Sequence, residues 1–197
     1  MLYKKIKVSF KEFPTRLNRI MYVRADIDLF TFGVSILTTL EATFEHYFYF
    51  QDQRRHYYPE NFEDLFMETD VYMTNFKLTD LSKKFILVYD SGEGWEFEVK
   101  VSAKPTELRS RKFVHLIEGE GLGLWEDNIH SLSAYLNGEI AADETENNEE
   151  KGHYLPWNIP MVKYGDFDQA LDINEINETI QNEIELNLSE LEENDYF

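Results

Sequence analysis

The chain has 197 residues, of which 43% are hydrophobic and 15% aromatic, and this apolar content excludes a wholly disordered protein. It contains no cysteine, which excludes disulfide scaffolds, thiolate metal sites and cysteine nucleophiles. The N-terminal residues lack the apolar core of a signal peptide, and no run is long enough to span a membrane. We therefore expect a cytoplasmic protein without membrane contacts.

The formal net charge of -19 lies entirely in the C-terminal part of the chain. Residues 1–115 contain 17 acidic and 17 basic residues, whereas residues 116–197 contain 21 acidic residues and only Lys151 and Lys163 as basic ones. An acidic surface repels nucleic-acid phosphates and attracts basic partners. The sequence thus disfavours direct nucleic-acid binding. It leaves open a decoy function, in which residues 116–197 present a DNA-like surface to basic nucleic-acid enzymes.

Alternating apolar residues predict strands, and apolar residues every three to four positions predict helices. In chain order, the predicted elements are strands at 3–10 and 20–23, a helix from Asp26 or Asp28 to about Ala42, a hairpin at 46–58, a short helical turn around Phe62, Leu65 and Phe66, a hairpin at 84–101, a strand at 113–117, and a helix at 129–136 capped by Gly138.

Residues 139–152 contain six acidic residues, one lysine and almost no bulky apolar side chains. Such a segment buries too little apolar surface to offset the entropy that is lost on ordering. We predict an acidic mobile loop here, inserted into a single domain formed by residues 1–138 and 153–197.

The C-terminal segment shows helical periodicity. Its other faces carry mainly Asn and Glu, so the predicted helix is acidic and amphipathic. The apolar stripe either packs on the chain's own sheet or contacts a partner helix, including that of a second copy in a homodimer. The stripe consists of Ile173, Ile176, Ile180, Ile184, Leu188 and Leu191.

Several segments, in the same order, resemble the plasmid Ri ORF-three-like family, whose members often occur as passenger proteins of bacterial insertion elements. Residues 25–29 match its Ala-Asp-Ile-x-Leu motif. Residues 46–50 match its His-x-His-x-Phe strand, with Phe48 in place of the second histidine. Residues 89–97 are similar to Tyr-Asp-Phe-Gly-Asp-x-Trp-x-His, with Phe97 in the last position. Gly119 and Glu120 are similar to the family's Gly-Glu motif, residues 124–127 to its Pro-Pro-Glu-Asp motif, and residues 167–177 to its closing Phe-Asp-x-x-x-x-Asn motif.

The resemblance covers most of residues 2–177. It implies an α+β fold with a twisted, largely antiparallel sheet flanked by helices. It implies no particular reaction, because no established activity goes with the family. The two replaced histidines are also the positions best suited to metal ligation or proton transfer.

Two glycine-bearing loops carry grouped carboxylates, namely Asp90 and Glu93 in the first loop and Glu118, Glu120, Glu126 and Asp127 in the second. Such groups suit Mg²⁺, Ca²⁺ or acid–base chemistry, so a divalent-metal-assisted enzyme is one alternative function. Their spacing matches no strong metal motif, and the histidines share no zinc-ligand spacing. We therefore assign no metal ligand, no cofactor and no catalytic residue.

His46 and the neighbouring aromatic residues either line a small-ligand pocket together with the tryptophans or belong to an aromatic core strand. Our leading hypothesis is a non-enzymatic module, associated with mobile elements, that binds a protein or a small ligand. The candidate binding residues are His46, Tyr89, Asp90, Glu93, Trp95, Gly119, Glu120, Trp125, Glu126 and Asp127.

Overall fold

The computed structural model describes residues 1–60, 67–139 and 170–193. The predicted helical turn around Phe62 and all of the predicted acidic loop except Glu139 lie outside these residues. The described strands are β1 (Leu2–Phe10), β2 (Asn18–Arg24), β3 (Phe48–Asp52), β4 (Arg55–Tyr58), β5 (Val71–Tyr72), β6 (Lys84–Tyr89), β7 (Trp95–Glu107) and β8 (Val114–Glu120). The described α-helices are α1 (Leu29–Thr39), α2 (Ile129–Leu136) and α3 (Ile173–Glu193), and short 3-10 turns lie at Met73–Asn75 and Leu78–Asp80.

The strands form one sheet in the order β5-β4-β3-β6-β7-β1-β2-β8. Neighbouring strands pair antiparallel, except that β4 and β5 pair parallel. The predicted α+β class with a mixed, largely antiparallel sheet is therefore confirmed, as are both predicted hairpins.

One face of the sheet forms the core. In β7, Trp95, Phe97 and Val99 are fully buried, and they alternate with partly or fully exposed charged residues. On the opposite face, Glu98 forms ion pairs with Lys84 of the neighbouring strand β6 and with Lys100 of its own strand. Successive side chains of a strand point to opposite faces of the sheet, so every second residue is buried when the core covers only one face.

Helix α1 begins as predicted and ends earlier than predicted. The Asp28 side chain caps it by accepting a hydrogen bond from the amide of Thr31 at 2.8 Å. The helix ends at Thr39 and does not reach Ala42, because Glu41 adopts a left-handed conformation with φ of 59°. The amide of Ala42 then donates a hydrogen bond to the Leu37 carbonyl, so the helix ends in a Schellman motif.

Helix α2 has the predicted bounds and the predicted cap. Gly138 has φ of 74°, and its amide donates to the Tyr135 carbonyl. The amide of Glu139 donates a hydrogen bond to the Ala134 carbonyl, so this helix also ends in a Schellman motif, here with glycine at the left-handed position.

Helix α3 packs on α1 and β8, and Ile180, Ile184 and Leu191 are buried in the common core. The Asn177 side chain accepts a hydrogen bond from the Leu116 amide at 2.8 Å and donates one to the Leu116 carbonyl at 2.7 Å. The apolar stripe is therefore used within the chain, and a homodimer through this helix stays a prediction. No α-helix in the described part of the chain is long and apolar enough to cross a membrane.

Gly33 permits the close approach of α1 to the sheet. A Cβ atom at this position would lie 2.1 Å from Cε2 of Phe48, far inside van der Waals contact. Phe48 is itself buried and packs against Phe30 and Phe50, so its ring has little room to move.

We expect Gly33→Ala to lower the free energy of unfolding by about 1–3 kcal/mol, because overpacking a dense core forces side chains out of their preferred rotamers. Urea unfolding measures this change. A stabilisation of about 0.5–1 kcal/mol, the usual effect of Gly→Ala in an unobstructed helix, would contradict the proposed contact. The double variant with Phe48→Leu should be destabilised by less than the sum of the two single variants.

Arg19 is a fully buried cation whose hydrogen-bond acceptors are all backbone carbonyls. Its Nε donates to Thr39 at 2.8 Å, Nη1 donates to Asn18 at 2.8 Å and to Glu120 at 2.9 Å, and Nη2 donates to Leu122 at 2.6 Å. Burial lowers the pKa of Arg19 to about 10, so the guanidinium remains charged at neutral pH. This side chain thereby joins β2, the end of α1 and the segment that follows β8.

We expect Arg19→Met to lower the free energy of unfolding by at least about 3 kcal/mol, because it leaves four carbonyls without their donor. The exposed Lys104 offers a control, since Lys104→Met also removes one positive charge and should change stability by about 0.5 kcal/mol or less. Urea unfolding of both variants checks this. Similar losses in the two variants would show that the four hydrogen bonds contribute little.

Candidate functional site

Three loops meet at one end of the sheet. The loop between α1 and β3 carries His46, the turn between β6 and β7 carries Asp90, and the loop between β8 and α2 carries Asp127. Nε2 of His46 lies 2.9 Å from Oδ1 of Asp127 and 3.7 Å from Oδ2 of Asp90. One ligand atom from each residue lies within 4.8 Å of the other two. We call these three residues the loop cluster.

The loop cluster is buried on one side and open to solvent on the other. The Asp90 side chain is only 8% exposed, whereas those of His46 and Asp127 are 32% and 53% exposed. Asp90 and Asp127 both have left-handed backbones, with φ of 48° and 54°. This conformation is uncommon outside glycine and is enriched at functional sites.

Asp90 has one oxygen that is held by the backbone and one that is not. Its Oδ1 accepts hydrogen bonds from the amides of Gly92 at 3.1 Å and Glu93 at 3.3 Å. Its Oδ2 is buried and has no hydrogen-bond partner among the described residues. The turn therefore fixes the orientation of the carboxylate and directs one acceptor towards His46 and Asp127.

Glu126 precedes Asp127 and is 1% exposed. Its Oε1 accepts hydrogen bonds from the Thr43 amide at 2.8 Å and from the Tyr89 hydroxyl at 2.9 Å. Its Oε2 is buried without a hydrogen-bond partner in the described part of the chain. Burial raises the pKa of Glu126 above the ordinary carboxyl value, although these hydrogen bonds act in the opposite direction.

Glu93 has a structural role beside the loop cluster. Its Oε2 accepts a hydrogen bond from the amide of Ile129 at 2.9 Å, at the start of α2. Asn128 caps the same helix by accepting from the Ser131 amide. The turn that holds Asp90 is thus tied to the helix that follows Asp127.

Hydrogen bonds and close polar contacts involve six of the ten candidate residues at this end of the sheet, namely His46, Tyr89, Asp90, Glu93, Glu126 and Asp127. Gly119 and Glu120 lie at the end of β8, where they pair with Arg19 and Asn18 of β2, and no described contact joins them to the loop cluster.

The two tryptophans lie in the core and do not form the wall of an exposed pocket. Trp95 is 0% exposed and Trp125 is 1% exposed. Trp95 packs against Phe10 and Phe97, and Trp125 packs against Tyr135. Since Trp95 alternates with charged residues in the same register as Phe97, the sequence already contained the signal for its burial.

Phe48 and Phe97, which replace the two family histidines, are also buried in the core. Sequence reasoning missed one polar pair. Nδ1 of His56 lies 3.0 Å from Oδ1 of the fully buried Asp70 side chain. No short motif joins these two residues, so the sequence offered no signal for this contact.

These features define an α+β protein with a polar loop cluster at one end of a single mixed sheet. The chain belongs to the family described as Plasmid pRiA4b ORF-3-like protein, whose sequence model matches residues 3–175. No curated protein matches the chain. A similar solved structure is the protein of unknown function MM3350 from Methanosarcina mazei Go1, with a TM-score of 0.65 and 16% identity. The match covers 88% of this chain and 97% of that one, and it supports the fold alone.

The raised pKa of Glu126 has a consequence for stability. Between the ordinary carboxyl pKa of the unfolded chain and the raised value of the folded state, the folded protein holds a proton that the unfolded chain has released. The contribution of Glu126 to stability is therefore fully present below the ordinary value, and it is lost as the pH rises through the raised value.

Because Gln does not ionise, we expect the stability of Glu126→Gln relative to wild type to increase as the pH rises from about 4 to about 8. Urea unfolding at fixed ionic strength measures this difference. Glu118→Gln, at an exposed position, is measured alongside as the matched substitution. A stability of Glu126→Gln that does not rise with pH relative to that of Glu118→Gln would contradict the inferred direction of the shift.

Proposed function

We propose that the protein is a non-enzymatic binding module that holds a small cationic ligand at the loop cluster. The observation that carries this proposal is the buried Asp90 Oδ2, which has no hydrogen-bond partner among the described residues and faces His46 and Asp127. A buried acceptor without a partner costs free energy, and a bound ligand that interacts with it would recover that cost.

The charges of the loop cluster favour a cation. Asp90 and Asp127 supply two carboxylates, and the side chain that contacts both of them is the imidazole of His46. No lysine or arginine forms an ion pair with either carboxylate within residues 1–60, 67–139 and 170–193. The net charge of -19 adds a long-range attraction for cations.

The contacts of His46 support binding more than nucleophilic catalysis. A catalytic nucleophile needs a base within hydrogen-bond reach. The described hydrogen-bond partner of His46 is Asp127, and no serine, threonine or lysine in the described residues donates to its ring. The association with mobile elements and the decoy function stay predictions.

The proposal predicts that a cation which binds the loop cluster raises the melting temperature. At about ten times Kd, the gain of about 1.4 kcal/mol corresponds to a rise of about 3–6 °C for a chain of this length. Thermal melts at fixed ionic strength would use spermidine and argininamide with EDTA present, and Mg²⁺, Mn²⁺ and Zn²⁺ without EDTA.

Asp127→Asn is the test variant, because it removes one carboxylate from a half-exposed side chain and should abolish the rise. Glu118→Gln is the matched control, since it removes one exposed negative charge elsewhere and should retain the rise. If no cation raises the melting temperature, or if the rise is the same in Asp127→Asn, the proposal is wrong.

A further inference from the structure

We infer that the loop cluster binds a divalent first-row transition-metal ion through His46 Nε2, Asp90 Oδ2 and Asp127 Oδ1. This inference rests on the proposed function and names the ligand of the same site. The sequence alone assigns no metal ligand.

The distances from His46 to the two carboxylates suit one ion, and each of the three residues places a ligand atom within 4.8 Å of the other two. Nε2 of His46 lies 2.9 Å from Oδ1 of Asp127 and 3.7 Å from Oδ2 of Asp90. Histidine nitrogen and carboxylate oxygen bind Zn²⁺ at about 2.0–2.2 Å, so two adjacent ligands of one ion lie about 3.0–3.5 Å apart. The two observed distances bracket this range.

Asp90 provides an independent indication of a ligand. Its side chain is 8% exposed, and its Oδ2 has no hydrogen-bond partner within the described residues. The amides of Gly92 and Glu93 hold the other oxygen of the same carboxylate. Metal-binding carboxylates are commonly oriented in this way by hydrogen bonds to the oxygen that does not bind the ion.

The donor set favours a transition metal over Ca²⁺ or Mg²⁺. Ca²⁺ takes six to eight oxygen ligands, and Mg²⁺ is usually bound by carboxylates, phosphates and water. An imidazole with two carboxylates suits ions such as Zn²⁺, Mn²⁺ and Fe²⁺. Three protein ligands on a half-open surface leave further coordination positions for water or for a ligand of the metal.

Isothermal titration calorimetry tests the inference on the full chain after EDTA treatment and dialysis, with ZnCl₂ and MnCl₂ as probes. We expect one saturable site per chain for Zn²⁺, with weaker binding of Mn²⁺ in accord with the general order of metal affinities. His46→Gln and Asp127→Asn should each weaken Zn²⁺ binding at least about tenfold. Glu118→Gln should bind Zn²⁺ as wild type does.

A thermal melt of each metal-free variant first verifies that it folds. Both substitutions are at partly exposed side chains, and Asp127→Asn carries the test if His46→Gln does not fold. Visible absorption of Co²⁺ bound to the wild type adds a second measurement. One equivalent of Zn²⁺ should displace the Co²⁺ bands.

Zn²⁺ binding that is unchanged in Asp127→Asn, or that occurs only at several weak sites per chain, overturns the inference, because the ions then bind elsewhere on the acidic surface. If no metal binds but an organic cation stabilises wild type and not Asp127→Asn, this inference fails and the proposed function stands. If neither class of cation stabilises the protein, both fail.

Discussion

The buried guanidinium of Arg19 determines where the loops of the candidate site begin. Three of its four hydrogen bonds join β2 to the last residue of α1, to the last residue of β8 and to the segment that follows β8. The Leu124 amide also donates to the Leu40 carbonyl, so the end of α1 and the β8–α2 loop run side by side. His46 follows the first of these segments and Asp127 follows the second. The contact between them therefore depends on a cation that lies outside the loop cluster.

The polar residues around the loop cluster share one arrangement. In both Asp90 and Glu126, one carboxylate oxygen is held by backbone or side-chain donors, and the other oxygen is buried without a described partner. Burying such oxygens is unfavourable, as are the left-handed backbones of Asp90 and Asp127. The β6–β7 hairpin and the contact of Glu93 with α2 stabilise this end of the sheet against those costs. A rigid frame that retains an unfavourable polar arrangement is typical of a site prepared for a ligand.

Much of the fold follows from local sequence patterns, whereas the contacts that build the site are long-range. Alternation predicted the hairpins, and an apolar stripe predicted α3, because burial of one face imposes these periods. The end of α1 was predicted too late because Glu41 occupies a position that usually requires glycine, and its residue type carries no such signal. Grouped carboxylates in two loops indicated Asp90 and Asp127 but not their contact with His46. The role of Arg19 was not predictable, since arginine is almost never fully buried.

Side-chain amides of α3 bind backbone groups at one edge of the sheet. Strand β8 is an edge strand, and its outward Leu116 amide and carbonyl are both bonded to Asn177, while the Phe113 amide is bonded to Gln181. At the other edge, β5 contains only two residues. Exposed edges with free backbone groups are templates for strand addition between molecules. The helix thus occupies three of the backbone groups through which a neighbouring strand could pair, and the short β5 offers few of them, which disfavours strand addition between molecules.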